Sequence, residues 1–271
     1  LPPAAAITPD AASTPDANSS SQAAASNNSS DGSGSNYSAA AHQTINVGNA
    51  INFLIANQNS DGSIGASILY SDWSALALAA YGESDAKNKL KNYLITSDYA
   101  TDFGSKTADL ERRAMALMAL GVNPYSGAKI DYIARIAAAF DGQQIGDPDI
   151  FNDDIFALFP LLGAGYSGSD AIINKTIRFI ITKQNADGSW QSIDLTAAAA
   201  QALALAQKTG NLSGGLNDLI NTALAGARNF LRGAQQSDGS FSHNAISTAW
   251  AMQGIAALGE TVFKNNKDEE Y

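Results

Sequence analysis

Four carboxylates fall within eight residues in the stretch Gly-Asp-Pro-Asp-Ile-Phe-Asn-Asp-Asp: Asp147, Asp149, Asp153 and Asp154. An oxygen-rich group of this kind suits a hard cation such as calcium, but the EF-hand spacing is missing and a solvated acidic loop is the commoner arrangement. Asp153 and Asp154 also open an apolar helical pattern, where acids accept backbone N–H bonds and complement the helix dipole. Asp72, Asp109 and Asp194 stand at comparable positions, which favours that capping role. His243 is the one imidazole of the chain body, His42 being the other in the chain, and a lone histidine is usually a hydrogen-bonding junction residue. With no cysteine anywhere, thiolate zinc sites, thiol nucleophiles and thioester chemistry are all excluded. No Gly-x-Ser-x-Gly word occurs and the glycine-rich words read as turns, so neither a serine triad nor a phosphate cradle is supported. No metal or cofactor is expected.

The elements that position these residues are legible from a repeated word. Asn-Phe-Leu-Ile-Ala-Asn-Gln-Asn-Ser-Asp-Gly-Ser-Ile (52–64), Arg-Phe-Ile-Ile-Thr-Lys-Gln-Asn-Ala-Asp-Gly-Ser-Trp (178–190) and Asn-Phe-Leu-Arg-Gly-Ala-Gln-Gln-Ser-Asp-Gly-Ser-Phe (229–241) share an aromatic, a glutamine and an Asp-Gly-Ser turn at fixed offsets. Apolar residues at helical spacing precede each word and an Ala-rich helical pattern follows it, so the unit is helix, turn, helix. Two further units, over 90–121 and 130–165, keep the layout without the glutamine word, the second retaining Asp141-Gly142. The result is an all-α chain of about five helical hairpins.

Each part of the word has a physical task. Gly62, Gly188 and Gly239 supply positive φ, and Asp61, Asp187 and Asp238 bond their own backbone. Gln58, Gln184 and Gln235 satisfy backbone groups at a neighbouring helix end. Ile64, Trp190 or Phe241 covers the polar junction. The word is therefore expected to pin adjacent hairpins together and to carry no chemistry.

Composition bounds the rest. Residues 1–45 are Ala, Ser, Asn, Pro, Thr and Asp with almost no large apolar side chain, the composition of a disordered low-complexity linker. The domain is expected over 46–264, with a charged tail over 265–271 extending into solvent. A net charge of −10 without any basic cluster argues against nucleic acid, and no apolar run is long enough for a membrane span. The chain opens at Leu1 before two prolines; the expectation is a processed product, extracellular or at the cell surface, whose spacer once followed an export signal or anchor.

Gln-x-x-Asp-Gly-Ser-aromatic resembles the repeat of the squalene cyclase and prenyltransferase superfamily, over about 48–263. The resemblance implies an α/α toroid, with Ala-rich segments such as 194–206 as inner helices around a cavity. The helices starting at Asp72, Asp109, Asp153 or Asp154, Asp194 and Ser247 or Thr248 would point their N-termini to one end. The family's zinc-dependent prenyltransferases need an Asp, Cys and His set that is absent, and its thioester relatives need a cysteine. Its protonating cyclases use Asp-x-Asp-Asp; Asp153 and Asp154 match the last two acids, while Phe151 replaces the first. Cobalamin carriers resemble the same toroid, and some place a histidine toward cobalt, which makes His243 a candidate ligand-binding residue.

The expected function is that of an exported, tethered, non-catalytic repeat domain binding a small apolar or amphipathic ligand or a protein partner. Asp72, Trp73, Asp109, Phe156, Asp194, His243 and Trp250 are the candidate ligand-binding residues. The alternative is a terpene cyclase-like enzyme in which Asp153 protonates an isoprenoid and Asp154 supports it. A polysaccharide-acting toroid would need a Tyr, His or Arg base set, or two carboxylates flanking a groove, for which Asp72 and Asp153 are the candidates. Family rings commonly use about six hairpins; a ring left open at five would expose apolar edges and favour self-association.

Overall fold

A computed structural model describes residues 46–97, 106–209 and 211–260. The linker over 1–45 and the tail over 265–271 lie outside the described residues. Those described form ten helices and no strand: α1 (Val47–Ala56), α2 (Ile68–Tyr81), α3 (Asp85–Thr96), α4 (Thr107–Ala119), α5 (Tyr132–Ala138), α6 (Asn152–Gly163), α7 (Ala171–Thr182), α8 (Ile193–Thr209), α9 (Gly214–Ala234) and α10 (Ala245–Ala257). They pair in sequence as five hairpins.

Packing separates the two members of each pair. Among the even-numbered helices, α2 packs on α4, α4 on α6, α6 on α8 and α8 on α10. Each even helix from α2 to α8 also packs against the odd helix that follows it in the chain: α3, α5, α7 and α9 respectively. α8 makes this close packing possible, because Ala197, Ala198, Ala199, Ala200 and Ala202 are all buried and add little bulk between backbones. Opposite them, Gly254 of α10 lies so near that a Cβ there would stand 2.8 Å from Cα of Ala197.

The repeated word builds the corners between the two members of a hairpin. Gln58 donates its Nε2 amide to the carbonyl of Gly62 at 3.0 Å, within its own turn, and to the carbonyl of Ala86 at 2.8 Å, on α3. Gln184 repeats both bonds, to Gly188 at 2.9 Å and to Ala223 of α9 at 2.8 Å. The adjoining glycines press on the same helices: a Cβ on Gly62 would meet the Lys89 carbonyl at 2.5 Å, and one on Gly188 the Gly226 carbonyl at 2.3 Å. Both have positive φ, so the turn and the close approach each select glycine. Asp61, Asp187 and Asp238 each accept the N–H and the hydroxyl of the serine two residues on.

The residue after the turn is locked to the next helix through its backbone. Ile64 N–H donates to Ser71 Oγ at 2.9 Å, Trp190 N–H to Thr196 Oγ1 at 2.8 Å and Phe241 N–H to Thr248 Oγ1 at 3.0 Å. Ile64, Trp190 and Phe241 are buried, and the Trp190 indole donates to the Ile180 carbonyl at 2.7 Å. Burying these side chains removes the corner's hydrogen bonds from competition with water.

Two helix starts differ from the sequence expectation. α2 begins four residues before Asp72, capped by Ser67, whose side chain accepts the Leu69 N–H, so Asp72 lies in the second turn. α10 begins at Ala245 with Asn244 as its cap, ahead of Ser247 and Thr248. In both, the polar residue that the sequence suggests as a cap faces inward to hold the corner or an ion pair.

Gly254→Ala tests the tight contact between α8 and α10. In an exposed helix the change stabilises by about 1 kcal/mol; here the clash with Ala197 reverses the sign, and denaturant unfolding is expected to show a loss of about 1–3 kcal/mol.

Candidate functional site

Three even-numbered helices bring four aromatic side chains together. Trp73 of α2 meets Trp250 of α10 with ring centroids 5.8 Å apart and planes at 87°. Phe156 of α6 lies edge-on to both, 6.5 Å from Trp73 and 5.8 Å from Trp250, and Phe159, one turn on, stands 6.2 Å from Phe156. The mutual edge-to-face arrangement fills the space between these helices with rings, the packing that aromatic quadrupoles favour. Trp73, Phe156 and Trp250, candidates from sequence, thus share one site.

A groove of about 500 Å³ opens beside that cluster, lined by Phe53, Leu54, Ile64, Tyr70, Trp73 and Ala77 among others. A second, of about 530 Å³, is lined by Trp73, Leu76, Ala77, Trp250 and Gln253. Trp73 and Ala77 belong to both, so the two grooves adjoin along α2. Phe53 is 67% exposed here, whereas Phe179 and Phe230, which hold the same place in the other two words, pack partly buried against the core. The first hairpin therefore offers solvent an aromatic face that the later ones cover.

The acids assemble separately. Asp72, fully buried, receives Arg113 Nε at 2.6 Å and Arg112 Nε at 3.1 Å, and Arg112 reaches on to Asp109 at 2.8 Å. Arg113 also donates to Ser97 Oγ at 2.9 Å. Burial pushes the Asp72 carboxyl up in pKa while Arg113 and then Arg112 pull it down. Asp72 and Asp109 are thereby committed to ion pairs that join α2 to α4.

Asp153 and Asp154 occupy the first turn of α6, but neither caps it. Asp154 Oδ1 accepts the Ile145 N–H at 2.8 Å. This is the corner bond that Ser71, Thr196 and Thr248 make elsewhere, with a carboxyl in place of a hydroxyl. Asp153 Oδ2 accepts the Asp147 N–H at 3.3 Å and lies against Gly146, where a Cβ would approach it to 2.3 Å. Capping of the helix is thus replaced by bonds to the loop that precedes it. Asp147 in turn accepts the Asp149 N–H at 3.0 Å, and among the described residues no group of three or more carboxylates or imidazoles is placed to hold a metal ion.

Sequence reasoning missed Glu111. It sits fully buried on α4, and neither carboxylate oxygen has a hydrogen-bond partner among the described residues. Burial, followed by the charges of Asp153 and Asp154, holds its pKa well above the ordinary glutamate value. Asp154 is pushed up to about 7, again chiefly by burial, and Asp153 is raised for the same reason. The available signal was Glu111-Arg112-Arg113, three consecutive charges inside an otherwise Ala, Leu and Met helix, where one face cannot take all three.

The groove that reaches Asp153, about 400 Å³, is lined by Lys106, Thr107, Ala108, Asp147, Ile150 and Asn152 and contains no aromatic ring. Asp194 lies in the first turn of α8. His243 stands apart at the third corner, its Nδ1 3.2 Å from Asp238. The structure thus gathers the aromatic candidates in one place, whereas Asp72 and Asp109 share an ion-pair network, Asp153 and Asp154 bond to the loop before α6, and Asp194 stands at the start of α8.

Two outcomes follow from this charge arrangement. Asp72→Asn removes the anion facing two buried guanidiniums, and urea unfolding is expected to show a loss of about 3–5 kcal/mol. The pH dependence has two limbs. Glu111, Asp153 and Asp154 bind protons more tightly folded than unfolded, so their contribution is full below about pH 4 and is lost as pH rises through each folded pKa, about 7 for Asp154. Asp61, Asp141, Asp187 and Asp238 are lowered by their hydrogen bonds, and their contribution is lost below about pH 4. Thermal unfolding should therefore peak in mildly acidic buffer, and Asp154→Asn should flatten the decline between pH 5 and about 8.

No protein-family model, curated protein or solved structure matches the chain.

Proposed function

We propose that this chain is a non-catalytic repeat domain of the squalene cyclase and prenyltransferase type, its five hairpins arranged as an α/α toroid, which binds a small apolar or amphipathic ligand beside Trp73. The observation that carries the reading is the pair of adjoining grooves at Phe53, Tyr70, Trp73 and Trp250, where large apolar side chains remain open to solvent. Ligand sites are typically apolar concavities with few polar groups, and these walls offer mainly Asn57, Ser74 and Gln253 for orientation. The packing order of the even-numbered helices, together with the contact between Trp73 and Trp250, supports the toroid. The linker composition supports an exported, tethered placement.

The cyclase alternative draws less support. A proton donor for an isoprenoid has to face the aromatic walls that stabilise the cation. Asp153 instead lines a groove without rings and is turned to the Asp147 N–H, while Asp154 holds a corner. A polysaccharide reading loses Asp72, whose carboxylate is fully engaged by arginines.

Tryptophan fluorescence, followed while dodecanoic acid or geranylgeraniol is added, tests the proposal. Saturable quenching or a blue shift is expected, with affinity reduced about tenfold by Tyr70→Ala, the equivalent of roughly 1.4 kcal/mol of lost apolar contact, and unchanged by Asp153→Asn. Turnover of geranylgeraniol or squalene to a cyclised product that Asp153→Asn abolishes would replace the binding reading with the enzymatic one.

A further inference from the structure

Three adjoining helices present no charge to solvent. α1 and α10 contain no Asp, Glu, Lys or Arg, and α2 contains only Asp72, which is buried on Arg112 and Arg113. Every other helix carries charge, and in α3, α7 and α9 it lies on the exposed side, at Lys89, Lys175, Arg178 and Asp218. The three uncharged helices also hold nine of the twelve large apolar side chains that are exposed among the described residues, with Phe53, Tyr81 and Ile246 more than half open. α1 is the extreme case, burying only Ile51. A helix without a charged face is ordinarily covered, and exposed apolar patches larger than roughly 300–600 Å² mark contact surfaces.

These side chains are joined in one surface. Phe53, Tyr70 and Trp73 line one groove, and Trp73 and Trp250 line the next. Along α2, Tyr70, Trp73, Ala77 and Tyr81 recur at helical spacing, while Leu69 stands one turn before Trp73 and Ile246 one turn before Trp250. The Tyr81 hydroxyl reaches across to α1, lying 3.8 Å from where a Cβ on Gly48 would stand, so the stripe spans both helices of the first hairpin. The exposed parts of Phe53, Leu69, Tyr70, Trp73, Tyr81 and Ile246, with the half-buried side chains between them, come to roughly 600–800 Å². Two such faces together bury roughly 1,200–1,600 Å², which is what a stable dimer needs.

Charge decides which partner fits. The chain carries a net charge of −10, so two copies meeting through most of their surface bring carboxylates together. On this face they meet without any like-charge pair, whereas a charged partner finds no counter-ion there. The face is also self-complementary: Phe53 projects beside a groove of about 500 Å³, large enough for an aromatic ring. We infer that two copies of the chain pair about a two-fold axis through the face formed by α1, α2 and Trp250, with Phe53 of each copy seated in the groove between α1 and α2 of the other. A two-fold interface uses the same patch twice, which suits a surface that offers both a knob and a hole. The pairing stands independently of the small-ligand reading, although a ligand beside Trp73 and the Phe53 ring of a second copy would compete for the same space.

Sedimentation velocity on the full chain tests the pairing. A shift from monomer to dimer is expected with a midpoint of about 1–100 μM, not weakened by about 0.5 M NaCl, since no ion pair holds the interface. Phe53→Glu should raise the midpoint at least about tenfold by placing a carboxylate in the apolar groove of the other copy. Tyr81→Glu, which alters neither groove, should raise it as well, and Leu219→Glu, at an exposed apolar position of α9, should leave it unchanged. Unchanged circular dichroism of each dilute variant shows that the fold is kept. A single monomeric species at about 200 μM would overturn the inference, as would a dimer indifferent to both Phe53→Glu and Tyr81→Glu. Dodecanoic acid titrated into the dilute protein separates the two readings: a monomer at all concentrations that binds it loses the pairing and keeps the ligand site, whereas a dimer that binds none does the reverse.

Discussion

The side-chain amide of a corner glutamine, shared between its own turn and the next hairpin, is the contact on which the order of the helices depends. An Asp-Gly turn closes locally whatever lies beside it, since its bonds run within a few residues. A second N–H given to a backbone carbonyl 28 or 39 residues away fixes which helix comes next and at what height. Glycine completes the constraint, because only a residue without Cβ lets the turn seat against that helix. The hydroxyls of Ser71, Thr196 and Thr248 then tie each corner to the helix that leaves it, and a buried Ile, Trp or Phe keeps water out.

This arrangement explains which parts of the molecule were legible in sequence. The word Gln-x-x-Asp-Gly-Ser repeats because every corner solves one geometric problem, so the hairpins and the clamping glutamines could be read directly. Asp154 could not be read in that way. In a string of residues it resembles half of an acid motif, and only the bond from Ile145 shows that it stands where a serine or threonine stands in other corners. Glu111, Arg112 and Arg113 were hidden for a related reason: charge in a helix normally marks its wet face, whereas α4 has neighbours on both sides and buries all three. Burial comes from tertiary neighbours, which local pattern does not record.

The buried acids and the aromatic cluster involve different side chains of the even-numbered helices. Ion pairs from Asp72 to Arg112 and Arg113 join α2 to α4, and the Asp154 carboxyl ties the start of α6 to Ile145. The aromatic side chains face a different region, where the first hairpin remains uncovered. Asp153 and Asp154 bond to the loop before α6, and neither lines the apolar grooves beside Trp73.

If the corners set the succession of helices as described, the first and last even-numbered helices must meet, although 177 positions separate Trp73 from Trp250. Because the chain has no cysteine, this can be measured on a clean background. With cysteines placed at positions 73 and 250, a short bifunctional maleimide is expected to link the two within one molecule in high yield at low protein concentration. Linkage solely between molecules, or none while each cysteine remains reactive, would contradict the account.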